Sequence, residues 1–145
     1  MTGIRPARPA DAPALARLQS HLPEPSPGLL EAALDGGDVT PVTALVSTDR
    51  GDDPVAYLLA VPGDGTVYVA ELVVDPGRRR EGRARALLAA CAERNDGTAL
   101  TVTVAPDNGA ARALYRDCGF EKACRLPDFF DDGVALLYRR DCRTG

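Results

Sequence analysis

From Val73 to Leu88 the chain reads V-V-D-P-G-R-R-R-E-G-R-A-R-A-L-L, and residues of these types in this order suit the holding of a phosphate. An apolar strand ends at Val74, Pro76-Gly77 breaks it, and a basic loop with one glycine, Gly82, runs into a helix rich in Ala, Leu and Arg. A strand–loop–helix of this kind aims unpaired backbone N–H groups at one point, where the helix N-terminus adds partial positive charge. Gly82 lets the backbone approach an anion, and the arginines add full charge. No G-K-[ST] follows and no G-x-G-x-x-G is present, which excludes the Walker and dinucleotide patterns. The competing reading is a solvated basic turn before an amphipathic helix.

Two other places carry chemical interest. Glu71 is the one acid in the apolar strand V-Y-V-A-E-L-V-V, and a carboxylate is costly to bury. It is either a solvent-facing residue on a half-buried strand or a group kept to take a proton. Farther on, A-P-D-N-G-A-A-R-A-L-Y-R-D-C-G-F spans Ala105 to Phe120. By residue type alone this is an apolar helix stripe of Ala111, Leu114 and Tyr115, a C-cap at Gly119, and a Phe120 that packs the next strand. The four cysteines form no C-x-x-C pair and the single histidine, His21, is remote from them, so no metal site is expected. The cysteines read as small buried hydrophobes, and His21 as a residue on a helix surface.

The elements that position these residues follow from periodicity and breakers. Strands are expected over Ile4–Arg8, Thr43–Thr48, Val55–Val61, Thr66–Val74, Ala99–Val104, Phe120–Arg125 and Val134–Tyr138. Helices are expected from an Asp11 cap to Leu22, over Leu29–Leu34, from Arg83 to Arg94 and from Asn108 to Asp117. The order implies one α/β sheet, partly antiparallel and covered by helices, in one domain spanning 1–145. With 45% hydrophobic residues, 26% charged residues and a net charge of −4, the chain reads as globular. That charge argues against a nucleic-acid partner, even with Arg78 to Arg80 in a row. No apolar run or signal-peptide pattern points to a membrane, so a cytoplasmic protein, monomer or homodimer, is expected.

The loop Arg79-Arg80-Glu81-Gly82-Arg83-Ala84 resembles the acyl-CoA pyrophosphate loop [QR]-x-x-G-x-[GA] of the GNAT acetyltransferases. Downstream, Asn108, Ala111, Leu114, Tyr115, Gly119 and Phe120 fill the pattern N-x-x-A-x-x-L-Y-x-x-x-G-F of the same family in register. The resemblance implies an α+β fold with a mixed, mostly antiparallel sheet flanked by helices and a splayed strand pair holding the acyl-CoA. It implies acetyl-CoA as co-substrate, no metal, and an amine acceptor that attacks the thioester directly in a ternary complex. It places cofactor binding on Leu72, Val73, Val74, the loop residues Arg79 to Arg85, Asn108 and Tyr115. The N–H of Val73 or Val74 would polarise the thioester carbonyl. Tyr115 would protonate the departing sulfur, and Glu71, at the mouth of the splay, would take the amine proton directly or through water.

The segment R-L-P-D-F-F-D-D-G-V-A-L-L-Y, Arg125 to Tyr138, is similar to the tail of the protein N-terminal acetyltransferases, including the RimI-like ribosomal-protein-alanine enzymes. Their pattern is Y-Y-x-x-G-x-D-A-x-x-M. Phe129 and Phe130 replace the tyrosines, Val134 replaces the acid before Ala135, and Thr103 stands where those enzymes carry a glutamate. An α-amine near 7.8 is largely free at neutral pH, whereas deprotonating a lysine amine near 10.4 costs about 4–5 kcal/mol. A site without a strong base therefore fits α-amines or small amines of low pKa. The alternatives are a small-molecule amine acetyltransferase, for an amino acid, polyamine or antibiotic, and a non-catalytic acyl-CoA sensor.

Overall fold

The computed structural model describes residues 3–22, 25–34, 42–130 and 133–141, with backbone alone at 128–130. The elements follow in the order β1 (Gly3–Pro6), α1 (Ala12–Gln19), α2 (Pro27–Leu34), β2 (Thr43–Thr48), β3 (Pro54–Pro62), β4 (Thr66–Val74), α3 (Arg83–Arg94), β5 (Ala99–Val104), α4 (Gly109–Asp117), β6 (Glu121–Phe130) and β7 (Gly133–Arg140). The strands make one seven-stranded sheet in the order β1-β2-β3-β4-β5-β7-β6. Every neighbouring pair is antiparallel except β4 and β5, which are parallel. The central strands and the helices α2, α3 and α4 lie within two residues of where periodicity expects them, whereas β1 ends at Pro6 and not Arg8, and α1 ends at Gln19 and not Leu22. β6 and β7 run longer, because they pair with each other well past the apolar stretch. Asp11 precedes α1 but does not cap it. Its carboxylate instead takes the Arg5 guanidinium at 2.8 and 3.0 Å and the Arg8 N–H at 2.7 Å, tying β1 to the helix start.

Two apolar cores lie on opposite faces of the sheet. One joins Val67 and Val69 of β4 and Leu100, Val102 and Val104 of β5 to Leu87, Leu88 and Cys91 of α3 and to Tyr115. The other joins Val46, Tyr57, Leu59 and Val73 to Leu15 and Leu18 of α1 and Leu30 and Leu34 of α2. Alternation along β4 changes phase between these cores. Val67 and Val69 face α3 and α4, so a regular strand would send Val73 the same way. Instead Val73 belongs to the α1/α2 core, while Leu72 and Val74 pack against the other. The cause is a bulge: Ala60 pairs with Val69 and Leu59 with Glu71, leaving Ala70 as the extra residue. A bulge of one residue reverses the side-chain alternation beyond it, and it turns Glu71 toward α1.

The bulge sits where β4 and β5 part. Their pairing ends at Val69 with Val102. Beyond it β4 stays bonded to β3 through Leu72, Val73 and Val74, and β5 to β7 through Thr103 and Val104. Each strand follows its outer neighbour, so a gap opens through the sheet between 70–74 and 103–104. No helix of the described residues is long and apolar enough to cross a membrane.

Candidate active site

The loop after β4 begins with Asp75, whose side chain accepts the Gly77 N–H at 2.8 Å and starts the turn. Two left-handed residues follow at alternate positions, Arg80 at φ 67° and Gly82 at φ 76°. Alternation of this kind folds successive N–H groups into one concavity, an anion-binding arrangement. A left-handed arginine is strained by the order of 1–3 kcal/mol, and such strain concentrates at ligand sites. A Cβ built on Gly82 meets no atom within 4 Å, so the space before the α3 N-terminus is open. The loop therefore fits a pyrophosphate by shape and by dipole.

The arginines divide between two tasks. Arg79, Arg80 and Arg85 are exposed and face the solvent around the loop. Arg83 does not. Its side chain is buried and donates to Ser47 Oγ at 2.9 Å and to the Thr48 carbonyl at 3.2 Å, with Glu81 at 2.7 Å. The expectation that every loop arginine adds charge to the phosphate is corrected here. Arg83 fastens the loop to the end of β2, and Glu81 offsets its charge. Ala84 is half-buried at the first turn of α3.

Across the gap, β4 offers free backbone groups. The Asp75 N–H donates to the Val55 carbonyl at 2.8 Å, and Val73 lies opposite Tyr57. N–H groups two residues apart on a strand point the same way, so the Val73 N–H also faces β3. Those of Leu72 and Val74 face the gap. Of the two expected carbonyl donors, strand alternation leaves Val74.

Tyr115 of α4 stands on the α3/α4 side of the gap, 7% exposed, with its ring 5.7 Å from Phe120 and 6.2 Å from Tyr138. Its hydroxyl has no hydrogen-bond partner among the described residues. Burial pushes it up to about 12, and nearby Tyr68 and Cys118 add to the rise. On the other face the Tyr68 hydroxyl meets Thr103 Oγ1 at 2.8 Å, bridging the two strands where they diverge. Asn108 caps α4, its Oδ1 accepting the Ala111 N–H at 3.1 Å.

Glu71 is not solvent-facing. It is 4% exposed on the α1/α2 side. Oε1 accepts from Gln19 Nε2 at 3.0 Å and from the Tyr57 hydroxyl at 2.7 Å. Oε2 accepts from Gln19 Nε2 at 3.3 Å and from the Ser26 N–H at 2.6 Å. A carboxylate offers about four lone-pair sites, and all four are taken. The desolvated Tyr57 hydroxyl, pushed well above the usual tyrosine range by burial and by the carboxylate beside it, stays a donor. These partners are missing from the sequence reading, although one signal was present: Gln19 is a polar residue beside the buried Leu15 and Leu18 of α1. His21 is exposed beyond the end of that helix. Cys91 is buried, but Cys118 is only half-buried and Cys124 is exposed, so the expectation of buried cysteines holds for one of the three described. The side chains of Phe129 and Phe130, and all of Asp131, Asp132 and Cys142, lie outside the described residues. Among the described residues no three His, Cys, Asp or Glu side chains stand together as metal ligands.

The arrangement thus combines an anion-binding loop, a gap edged by free backbone groups, a buried tyrosine on one face of it and a polar pair on the other. Comparison with known proteins agrees. The profile described as "Acetyltransferase (GNAT) family" matches residues 13–120. Mycothiol acetyltransferase of Clavibacter michiganensis subsp. michiganensis is 33% identical over 142 residues, covering 83% of this chain and 45% of that protein. Mycothiol acetyltransferase of Clavibacter sepedonicus is 38% identical over 97 residues, covering 67% of this chain and 30% of that protein. The chain spans less than half the length of these curated relatives. Among solved structures, Arabidopsis thaliana NAA60 with a bisubstrate analogue superposes with TM-score 0.87 at 19% identity over all of both chains. The ribosomal-protein-S18-alanine N-acetyltransferase of Escherichia coli superposes with TM-score 0.83 at 22% identity, over 100% of this chain and 97% of that one. The two motifs, the splayed strand pair and a family profile over most of the chain place this protein in the GNAT acetyltransferase family.

Proposed function

We propose that this enzyme, an acyl-CoA-dependent acetyltransferase acting on an amine, takes an α-amine of low pKa, such as a peptide N-terminus, by direct attack in a ternary complex in the cytoplasm. The observation that carries the reading is the gap between β4 and β5, with Tyr115 on one face and the anion-binding loop at the head of α3. Acetyl-CoA supplies the reactive thioester. The loop from Arg79 to Arg85 holds its pyrophosphate, Asn108 borders the pantetheine path, and Leu72 and Val74 offer backbone partners. The Val74 N–H polarises the carbonyl.

Tyr115 serves the leaving sulfur. A hydroxyl near 12 facing a thiol near 8.5 makes complete proton transfer uphill by about 4–5 kcal/mol. It therefore acts by donating a hydrogen bond as the C–S bond breaks and sharing its proton with the nascent thiolate. Glu71 is the one carboxylate on the acceptor side of β4. With its lone pairs occupied, it takes the amine proton only if a donor yields, and the Ser26 N–H makes the one part-buried hydrogen bond of the four.

A second reading is supported by the relatives named for mycothiol, namely a small-molecule amine as acceptor. Labelled acetyl-CoA with glycinamide, spermidine and an alanine-initiated octapeptide tests both. Preference at pH 7 for the octapeptide or glycinamide, both α-amines of low pKa, over spermidine supports the α-amine reading, and the octapeptide over glycinamide marks a peptide acceptor. Preference for spermidine favours the second. Tight CoA binding with transfer to none of the three would leave a sensor.

A further inference from the structure

The gap in the sheet has two faces, and the proposed acetyl transfer uses one of them for Tyr115. Val67, Val69, Leu100, Val102 and Val104 point to the α3/α4 core that contains Tyr115. Tyr68 and Thr103 alternate with them, so their side chains lie on the opposite face. Their strands no longer pair beyond Val69 and Val102, yet Tyr68 reaches across to Thr103 at 2.8 Å. Tyr68 and Tyr115 therefore lie on opposite faces of the sheet, with the Tyr68 hydroxyl spanning the start of the gap.

A thioester lying in this gap, with its carbonyl oxygen on β4 backbone N–H, turns the two faces of its acyl plane toward the two faces of the sheet. A nucleophile must approach perpendicular to that plane. The α3/α4 face is filled by Tyr115, packed on Phe120 and Tyr138. The amine is left with the other face, and there the half-buried Tyr68 hydroxyl stands at the floor of the gap. We propose that the Tyr68 hydroxyl, held by Thr103 Oγ1 across the gap between β4 and β5, accepts a hydrogen bond from the acceptor amine and aims its lone pair at the acyl carbon. Whichever hydroxyl donates in this pair, the phenol oxygen keeps a lone pair for this purpose. Tyr68 touches substrate, and Thr103 is a positioning residue that acts through it. The inference rests on the acetyl-transfer reading.

The test is two-substrate kinetics with acetyl-CoA and the best acceptor among glycinamide, spermidine and the alanine-initiated octapeptide. Tyr68→Phe keeps the ring and removes the hydroxyl. It should lower kcat/KM for the acceptor roughly tenfold, the net worth of one hydrogen bond, with the affinity for CoA unchanged. Thr103→Val should give a smaller loss of the same kind. The double variant should lose no more than Tyr68→Phe alone, because Thr103 acts only through Tyr68. An acceptor kcat/KM within twofold of the unaltered protein in Tyr68→Phe overturns the proposal. So do single losses that multiply in the double variant, or an equal loss of CoA affinity, which marks a merely structural pair. If the unaltered protein acetylates none of the three amines, the underlying reading fails, and the inference fails with it.

Discussion

Tyr115 is buried in an aromatic cluster, and its hydroxyl has no hydrogen-bond partner among the described residues, which leaves it available to the leaving sulfur in the proposed reaction. Tyr115→Phe keeps the packing against Phe120 and Tyr138. It should lower kcat by roughly 10² while leaving CoA affinity intact, measured by steady-state rates and titration calorimetry. Since burial raises its hydroxyl to about 12, the protonated form persists far into the alkaline range. The rate of the unaltered enzyme should therefore rise with pH as the amine loses its proton, with no descending limb from Tyr115 below about pH 11. Glu71 is decided by its own profile: Glu71→Gln should lose activity near pH 7 and regain part of it at high pH if the carboxylate takes the amine proton. A uniform loss assigns it to holding Gln19, Tyr57 and Ser26. At Gly82, aspartate would meet a left-handed backbone and put negative charge into the open space before α3. Calorimetry on a folded Gly82→Asp variant should show CoA binding weakened beyond tenfold. The types and spacing of Gly82 and Tyr115 were legible because motif positions carry them. The inward turn of Arg83 was not, because a residue type does not say which way a long side chain points.

Among the elements, the bulge at Ala70 does the most. It reverses the faces of β4 and coincides with the separation from β5, and it carries Glu71 to α1. Neither consequence could be read from V-Y-V-A-E-L-V-V, whose near-continuous apolar run gives no sign of which residue is the extra one. Glu71 then ties three pieces of chain together: Gln19 at the end of α1, Ser26 just before α2, and Tyr57 of β3. Gln19→Leu removes two of its four hydrogen bonds and leaves a buried carboxylate poorly satisfied. The unfolding free energy should fall by about 1.5–3 kcal/mol, read from the urea midpoint. An unchanged midpoint would mean that water replaces the amide at no cost. The loop is tied in a similar way by Arg83 to Ser47 and Thr48. These links join elements distant in sequence, and single-sequence periodicity holds no information about them.

For the whole molecule, the alternation of strands and helices made the sheet and its helical cover legible, and the family resemblance placed the splay on the strand that carries Leu72, Val73 and Val74. The strand order 5-7-6 at the far edge was not legible, because it depends on how β7 inserts beside β5. At the opposite edge, Arg5 beside Asp11 holds that carboxyl below its ordinary value of 3.8. A lowered folded value adds stability above the unfolded one, and this stability is lost as pH falls through the folded value. Asp11→Asn should therefore be less stable than the unaltered protein at pH 7, and the difference should shrink below about pH 4 in thermal melts. Direct transfer of acetyl from CoA to an amine within the gap between β4 and β5 requires both substrates to be bound together, which the initial-rate pattern with acetyl-CoA and the acceptor both varied will report. Intersecting lines in the double-reciprocal plot are expected, because both substrates must be bound when the amine attacks. Parallel lines, the mark of an acetylated enzyme formed before the amine binds, would contradict the account.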